Sequence, residues 1–384
     1  MTVPTSKAKK YVMGIDIGGT KIASALYEVD NSRIKQEPAK IFGVVETGGR
    51  LPADHAAQIA GLIKEARRWA REGALVAVGV GAPGRFRADG TLMPGSSPNV
   101  GPTTDAFDNV NLQAIYAEAL NDTPLPVFVA NDGHTMAAGL VESIKTAPDG
   151  TTYTDQSGAS MEKRDFANKL VGYIGIGTGI GNAFVQTNER GDQKNFVTDG
   201  EIGEFRVGID DEDWEYLHQC LAAADIVPVE FPEEREVRAE DLFSGPVIKA
   251  LAGMGEQDNY PDPPTEAVEK ALKFAGKYLA RTIGLVKSGV SRDVNPANGW
   301  SDDYKAAAKP ATIFLISGGT GQLPVIGEKL IQYAGEEMRS NPELQASCGD
   351  VRLVRMQSKD AAIRAAASLV PAAILSPASG IGSP

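Results

Sequence analysis

Apolar runs of strand length recur along the chain, and several stop at glycine. Tyr11, Val12, Met13, Ile15 and Ile17 mark the first; Ile22 to Val29 the second, closed by the turn Asp30-Asn31-Ser32; Ile41 to Val45 the third. Three strands in succession predict an antiparallel meander. Pro52 then opens a helix. Ala56, Ile59, Ala60, Leu62, Ile63, Ala66 and Trp69 recur on one face of it, with Lys64, Arg67 and Arg68 off that face. Ala74 to Val80 and Leu125 to Ala130 read as buried strands, with a short helix at Leu112 to Leu120 between them. A helix with Ala137, Ala138, Leu140 and Val141 follows residue 132.

The second half repeats the theme. Leu170 to Ile176 is a strand, and Asn182 to Thr187 runs back from a glycine-rich tip, which predicts a hairpin. Helices are predicted at Asp213 to Ala223, Ala239 to Phe243 and Thr265 to Val290, the last with a broad apolar face, and Ser244-Gly245-Pro246 opens another. Thr312 to Ile316 is a strand leading to a helix that reaches Met338; Val351 to Val354 is a short strand and Ala361 to Val370 a closing helix. The polar stretches Pro94 to Thr104, Pro148 to Arg164 and Asp293 to Lys309 read as loops, the middle one as a mobile insertion. Residues 1–10 read as loose and 373–384 as a tail.

Length and charge narrow the picture. With 384 residues, 42% of them hydrophobic, the chain has enough apolar material for two cores. A net charge of −12 argues against a nucleic-acid or anionic-membrane surface, yet leaves room for phosphates held by backbone amides and Mg²⁺. Cys220 and Cys348 stand far apart, so neither a disulfide framework nor a Cys-based zinc site is expected. Met1 to Lys10 is polar and basic, and the apolar run that follows is too short, and interrupted by Asp16, to be a signal core or a membrane span. The expectation is a soluble, cytoplasmic protein.

The candidate chemistry lies where strands end. Asp16 closes the first strand beside Gly18, Gly19 and Thr20; a charge there is costly unless paired, hydrated or near a cation, and glycines let backbone N–H groups approach a ligand. Phosphate with a hydrated divalent cation is one reading and a plain β-turn the other. Gly177-Thr178-Gly179-Ile180-Gly181 and Ser317-Gly318-Gly319-Thr320-Gly321 are further candidate cradles, and Asn131-Asp132-Gly133 ends a fourth strand. Such turns in both halves suggest a nucleotide clamped between two domains. No P-loop spacing occurs, and Gly79 to Gly84 matches a dinucleotide fingerprint only formally, since Pro83 removes an N–H where a helix would start. Asn99 offers an amide on a turn, which a turn-forming Asn would equally explain.

Taken in order, these pieces resemble the actin-like ATPase and sugar-kinase superfamily. Within it they resemble the repressor–open reading frame–kinase (ROK) sugar kinases, most closely bacterial glucokinases. The matching pieces are Asp16 to Lys21, Asn131-Asp132, Gly177 to Gly181, Gly200 to Gly203 and Ser317 to Gly319, with Leu242 to Pro246 besides. The resemblance implies an α/β, two-domain actin-like ATPase (ribonuclease H-like) fold with an interdomain cleft. The small domain would span 11–131, closed by a C-terminal helix at about 356–372, and the large one 132–355. It implies ATP and Mg²⁺, with Asp132 as general base toward a sugar hydroxyl, although Asp also suits a helix N-cap. Asp16 would orient Mg²⁺ through water. Gly18, Gly19, Thr20, Lys21, Gly177, Thr178 and Gly179 would hold phosphates, and Gly318 and Gly319 the adenosine. Asn99, Asn131, Asp132 and Glu201 would bond the sugar. Glu204 stands where the family has His, which opens the choice of sugar to fructose, mannose, an N-acyl-hexosamine or an inositol. The family's zinc segment is missing, leaving His218 and Cys220 as structural residues, and His134 is expected as a neutral helix-surface side chain. Relatives are often homodimers. Some are sugar-responsive regulators, but those carry a DNA-binding domain ahead of the first strand, where this chain has ten residues.

Overall fold

The structure, a computed structural model, describes residues 9–18, 21–47, 51–71, 74–87, 89–94, 106–120, 125–187, 193–197, 201–289, 305–306, 308–356 and 361–375. Two compact units emerge: residues 1–139 with 359–384, and residues 140–358.

The first unit is built on a five-stranded sheet. Strands β1 (Lys10–Ile17), β2 (Lys21–Asp30) and β3 (Arg33–Glu46) form the meander, and β4 (Leu75–Ala82) and β5 (Val127–Asn131) continue it in parallel, in the order β3-β2-β1-β4-β5. The third strand runs longer than its apolar core, through Gln36, Glu37 and Lys40, because the hairpin pairing with β2 carries it past the apolar stretch. Side chains alternate across β1. Tyr11, Met13, Ile15 and Ile17 enter one core with Ile59 and Ile63 of α1 (Pro52–Ala70) and Tyr116 of α2 (Leu112–Glu118). Val12 enters another on the opposite face, with Ala77 of β4 and Ile363 and Ala367 of the C-terminal helix α11 (Ala361–Ser368).

On that second face Gly14 pairs in register with Gly79. A Cβ on Gly14 would stand 1.9 Å from the Ile363 carbonyl oxygen, and one on Gly79 1.7 Å from that of Ala366. The paired glycines thus make a flat seat on which the α11 backbone rests. Two residues further along, still on this face, come Asp16 and its partner Gly81. A Cβ on Gly81 would meet Thr135 of α3 (Asp132–Thr146) at 3.2 Å. The period-two alternation of β1 therefore aims Asp16 at the helix that begins with Asp132.

The second unit carries the same strand pattern. Its sheet runs β10-β9-β8-β14-β15, where β8 (Leu170–Ile176), β9 (Ile180–Thr187) and β10 (Gln193–Val197) are the antiparallel part. Strands β14 (Ile313–Ser317) and β15 (Arg352–Arg355) add in parallel. Helix α7 (Glu266–Ser288), capped by the Thr265 side chain, buries Leu272, Tyr278, Leu279 and Ile283 in the large core beside Phe314 and Ile316. Helix α9 (Pro324–Ser340) adds Leu330 and Ala334 to it. Each of the two sheets is thus a meander extended by two parallel strands.

One expectation needs correction. Residues 148–164 are not a mobile insertion. They hold a small hairpin, β6 (Thr152–Thr154) and β7 (Ser160–Glu162), whose turn is fixed to β15. Asp155 accepts a 2.7 Å bond from Arg352 Nε, and Gln156 brackets β15 through Leu353 N and Val351 O. Polar composition is a poor guide here, because Asp155 and Gln156 bond to β15 and the residue before it. The apolar pattern does not show a three-stranded sheet of β11 (Arg206–Gly208), β12 (Glu230–Phe231) and β13 (Glu236–Arg238), nor helix α10 (Pro342–Cys348). Strands of two or three residues are too short to show a period. The strand that ends at Ala82 leads into no helix over residues 83–87, consistent with setting aside the dinucleotide fingerprint. Among the described residues no helix is long and apolar enough to cross a membrane.

Candidate functional site

In the first unit, β1, β4 and β5 end side by side, with Asp16 beside Gly81 and Gly81 beside Ala130. The next residue of β5, Asn131, caps α3. Its Oδ1 accepts from His134 N at 2.9 Å, and its Nδ2 donates to the Gly84 carbonyl at 2.8 Å. The cap role weighed for Asp132 therefore belongs to its neighbour, and Asn131, read from the sequence as a sugar ligand, has a structural task at α3. Asp132 is the first helical residue; its Oδ1 accepts from Gly133 N at 2.8 Å. A carboxylate in the first turn is favoured by the helix dipole.

Asp16 and Asp132 are both half-buried and repel one another electrostatically. Burial, and then the charge of Asp132, lift the Asp16 carboxyl to about 7. Burial also raises Asp132, against the opposing pull of its bond from Gly133 N. His134, expected on the helix surface, is instead half-buried, and burial lowers it to about 3, so it is neutral. Two carboxylates held close together form the kind of donor set that a largely hydrated divalent ion satisfies. No cluster of three or more ligand side chains occurs among the described residues, so such an ion would keep most of its ligands as water or substrate oxygen.

At the β1–β2 turn Gly18 N donates to Lys21 O at 2.7 Å, and Thr47 Oγ1 donates to Gly18 O at 2.9 Å. Lys21 is exposed at the start of β2. Gly19, Thr20 and Asn99 lie outside the described residues.

The second unit holds the other candidate residues. At the tip between β8 and β9, Gly177 N donates to Gly179 O at 3.0 Å and Thr178 is exposed. Gly177 O accepts from Gly245 N at 2.8 Å, at the start of α6 (Gly245–Leu251). Gly318 opens the one-turn helix α8 (Gly318–Gly321) with φ +83°, and a Cβ on it would stand 2.6 Å from Ile176 N, so only glycine serves there. Gly319 is exposed beside it. These two glycine turns therefore sit together at the ends of adjacent parallel strands.

Glu201 and Glu204 flank the 3₁₀ turn Ile202–Glu204, which Asn182 of β9 holds by accepting Ile202 N at 3.0 Å. Both are half-buried. Glu204 is bonded to Arg238 Nη1 at 3.1 Å. Beneath the hairpin tip lies Glu240 of α5 (Glu240–Phe243), whose Oε2 accepts Ile180 N at 3.0 Å. Sequence reasoning missed Arg238 and Glu240: neither sits in a glycine turn, and their partners are distant in the chain. Between His218 and Cys220, His218 bonds Glu230 at 2.8 Å and Trp214 O at 2.7 Å, while the Cys220 thiol points to Leu251 O at 4.0 Å.

No family model matches the chain, and no curated protein does. Solved structures match in fold. A glucokinase from Balamuthia mandrillaris in complex with glucose superposes with a TM-score of 0.62 at 15% identity, over 95% of this chain and 95% of that one. A ROK family glucokinase from Streptomyces griseus in complex with glucose and AMPPNP gives 0.52 at 19% identity, over 94% and 99%. A ROK family transcriptional regulator, homologous to the E. coli MLC protein, gives 0.58 at 16% identity, over 95% and 78%. The expected fold class holds: the chain has the two-domain actin-like ATPase fold of the ROK sugar kinases, a fold that a ROK regulator shares.

Proposed function

We propose that the chain is an ATP-dependent sugar kinase that phosphorylates a hexose hydroxyl, with glucose at C6 as the first acceptor to test. The observation that carries this reading is the pair of half-buried carboxylates, Asp16 and Asp132, converging at the ends of β1 and β5. In the reaction Asp132 accepts the proton of the sugar hydroxyl as its oxygen bonds the γ-phosphorus of ATP and the bond to ADP breaks. Burial raises the affinity of Asp132 for that proton, the direction a general base needs. Asp16 would hold Mg²⁺ through water, and the ion, when bound, would supply charge neutralisation at the phosphates. The backbone of Gly18 and of Gly177 to Gly179 lines the phosphates, Gly318 and Gly319 admit the adenosine, and Glu201 and Glu204 accept sugar hydroxyls.

The test is ADP release with ATP, Mg²⁺ and a panel of hexoses, N-acyl-hexosamines and inositols. A sugar-dependent signal is expected, and Asp132→Ala should lower kcat at least ~100-fold, the scale of a positioned general base, while nucleotide binding persists. Near-normal turnover in Asp132→Ala would remove Asp132 from the role. A second reading, a kinase for another sugar or polyol, draws on Glu204. This acceptor-only side chain is tied to Arg238 and presents a different face to a sugar than an imidazole would. Strict glucose preference in the panel would dismiss it. Sugar binding without transfer from any phosphoryl donor would instead favour a regulator's role for the shared fold.

A further inference from the structure

Three carboxylates of the second unit converge on one guanidinium. Arg238, at the end of β13, grips both oxygens of Asp241 through Nε and Nη2, each at 3.0 Å. Asp241 is buried and also accepts Val229 N at 3.0 Å, so this fork is anchored in the protein. The rest of the guanidinium points to two other elements. Nη1 donates to Glu204 Oε1 at 3.1 Å, and Nη2 lies 3.7 Å from Glu240 Oε1. Glu240 in turn accepts Ile180 N at 3.0 Å through its other oxygen, and that oxygen stands 2.6 Å from where a Cβ on Gly179 would be. Burial works against the charge of Arg238, but Asp241, and then Glu204 and Glu240, more than offset it and raise its pKa.

We infer that Arg238 is a positioning residue that locks the Glu201–Glu204 loop and the Gly177–Gly181 hairpin tip into one register. The inference rests on the reading above, in which the loop takes the sugar and the tip the phosphates. On that reading, each ligand's binding depends on a side chain that touches neither. A planar fork with fixed donor directions can serve three acceptors at once; a lysine ammonium keeps the charge without that geometry.

The test uses the full chain with Arg238→Gln, Arg238→Lys and Glu204→Gln. Amide hydrogen exchange is followed without ligand, and steady-state kinetics with ATP and the preferred sugar. Arg238→Gln should speed exchange in 177–181 and 202–205 together while β14 and α7 keep wild-type protection. It should also raise KM for ATP and for sugar together, each about tenfold or more, the effect of losing a charge-assisted bond. Arg238→Lys should fall between this variant and wild type on both readouts, and Glu204→Gln should raise chiefly the sugar KM. Loosening of one loop alone, or unchanged KM values, would overturn the inference; so would faster exchange across the whole unit, which marks a general support of the fold. If the wild-type chain transfers no phosphate to any acceptor, the proposed function fails. The exchange arm, which needs no turnover, then decides by itself whether Arg238 joins the two loops.

Discussion

A carboxylate buried at a strand end beside a second carboxylate leaves a signature in stability. The Asp16 carboxyl rises from an ordinary 3.8 to about 7, through burial and then through Asp132. Between those values the folded state binds a proton that the unfolded state has released. Stability present below about pH 4 is therefore lost as pH climbs through 7. Without divalent cations, Asp16→Asn should be more stable than wild type at pH 8, by up to about 4 kcal/mol, with the gap closing toward pH 4. Urea unfolding at the two pH values checks the sign, and a pH-independent difference would refute it. Asp16 was legible in the sequence because a charge closes an apolar run, and Asp132 because the strand-end motif Asn131-Asp132-Gly133 resembles that of the ROK kinases. Asn131 was legible as a site neighbour but not as the cap of α3, since Asn and Asp compete for that place by type and only the bond to His134 N settles it. Arg238 and Glu240 could not be read: Glu240 lies 60 residues from Ile180, whose amide it takes.

At the scale of elements, close approach is the theme. The paired Gly14 and Gly79 carry the backbone of α11, where no side chain has room. Gly79→Ala should cost at least about 3 kcal/mol, because backbone, unlike a flexible side chain, has nowhere to go. Gly61, within α1, has nothing within 4 Å of its Cβ position, so Gly61→Ala should stabilise by about 0.5–1 kcal/mol through helix propensity. Thermal unfolding of the two variants should move in opposite directions. Most helices and most strands were legible through their periods, α10 excepted. Gly14 read only as a strand residue and Gly79 as the start of a formal dinucleotide fingerprint, because the element they accommodate lies far along the chain. The hairpin at 152–162 escaped notice since its polar residues serve β15.

On the scale of the whole molecule, two units of 1–139 with 359–384 and of 140–358 each own a core. The two sheets share one strand pattern, and each places glycine turns at strand ends, which is why the ordered motifs in the sequence pointed to this fold before any strand was seen. Separate cores should let a lesson in one unit stay there: in Gly79→Ala, hydrogen exchange should quicken in residues 9–139 and leave α7 and α9 protected. Uniform loss of protection would mean that the units unfold as one.

The seat of α11 also has a history in time. During synthesis the sheet of the first unit leaves the ribosome early, but the helix that covers its second face is encoded beyond residue 358. Val12, Ala25, Tyr27 and Ala77 therefore face solvent throughout the making of the intervening unit, an apolar patch that a nascent chain must keep from its neighbours. A message stopped after residue 358 should yield a product that aggregates or is held by chaperones, and supplying 359–384 as a separate peptide should rescue it. Helix α11 would then act as the closing signal for strands made long before it.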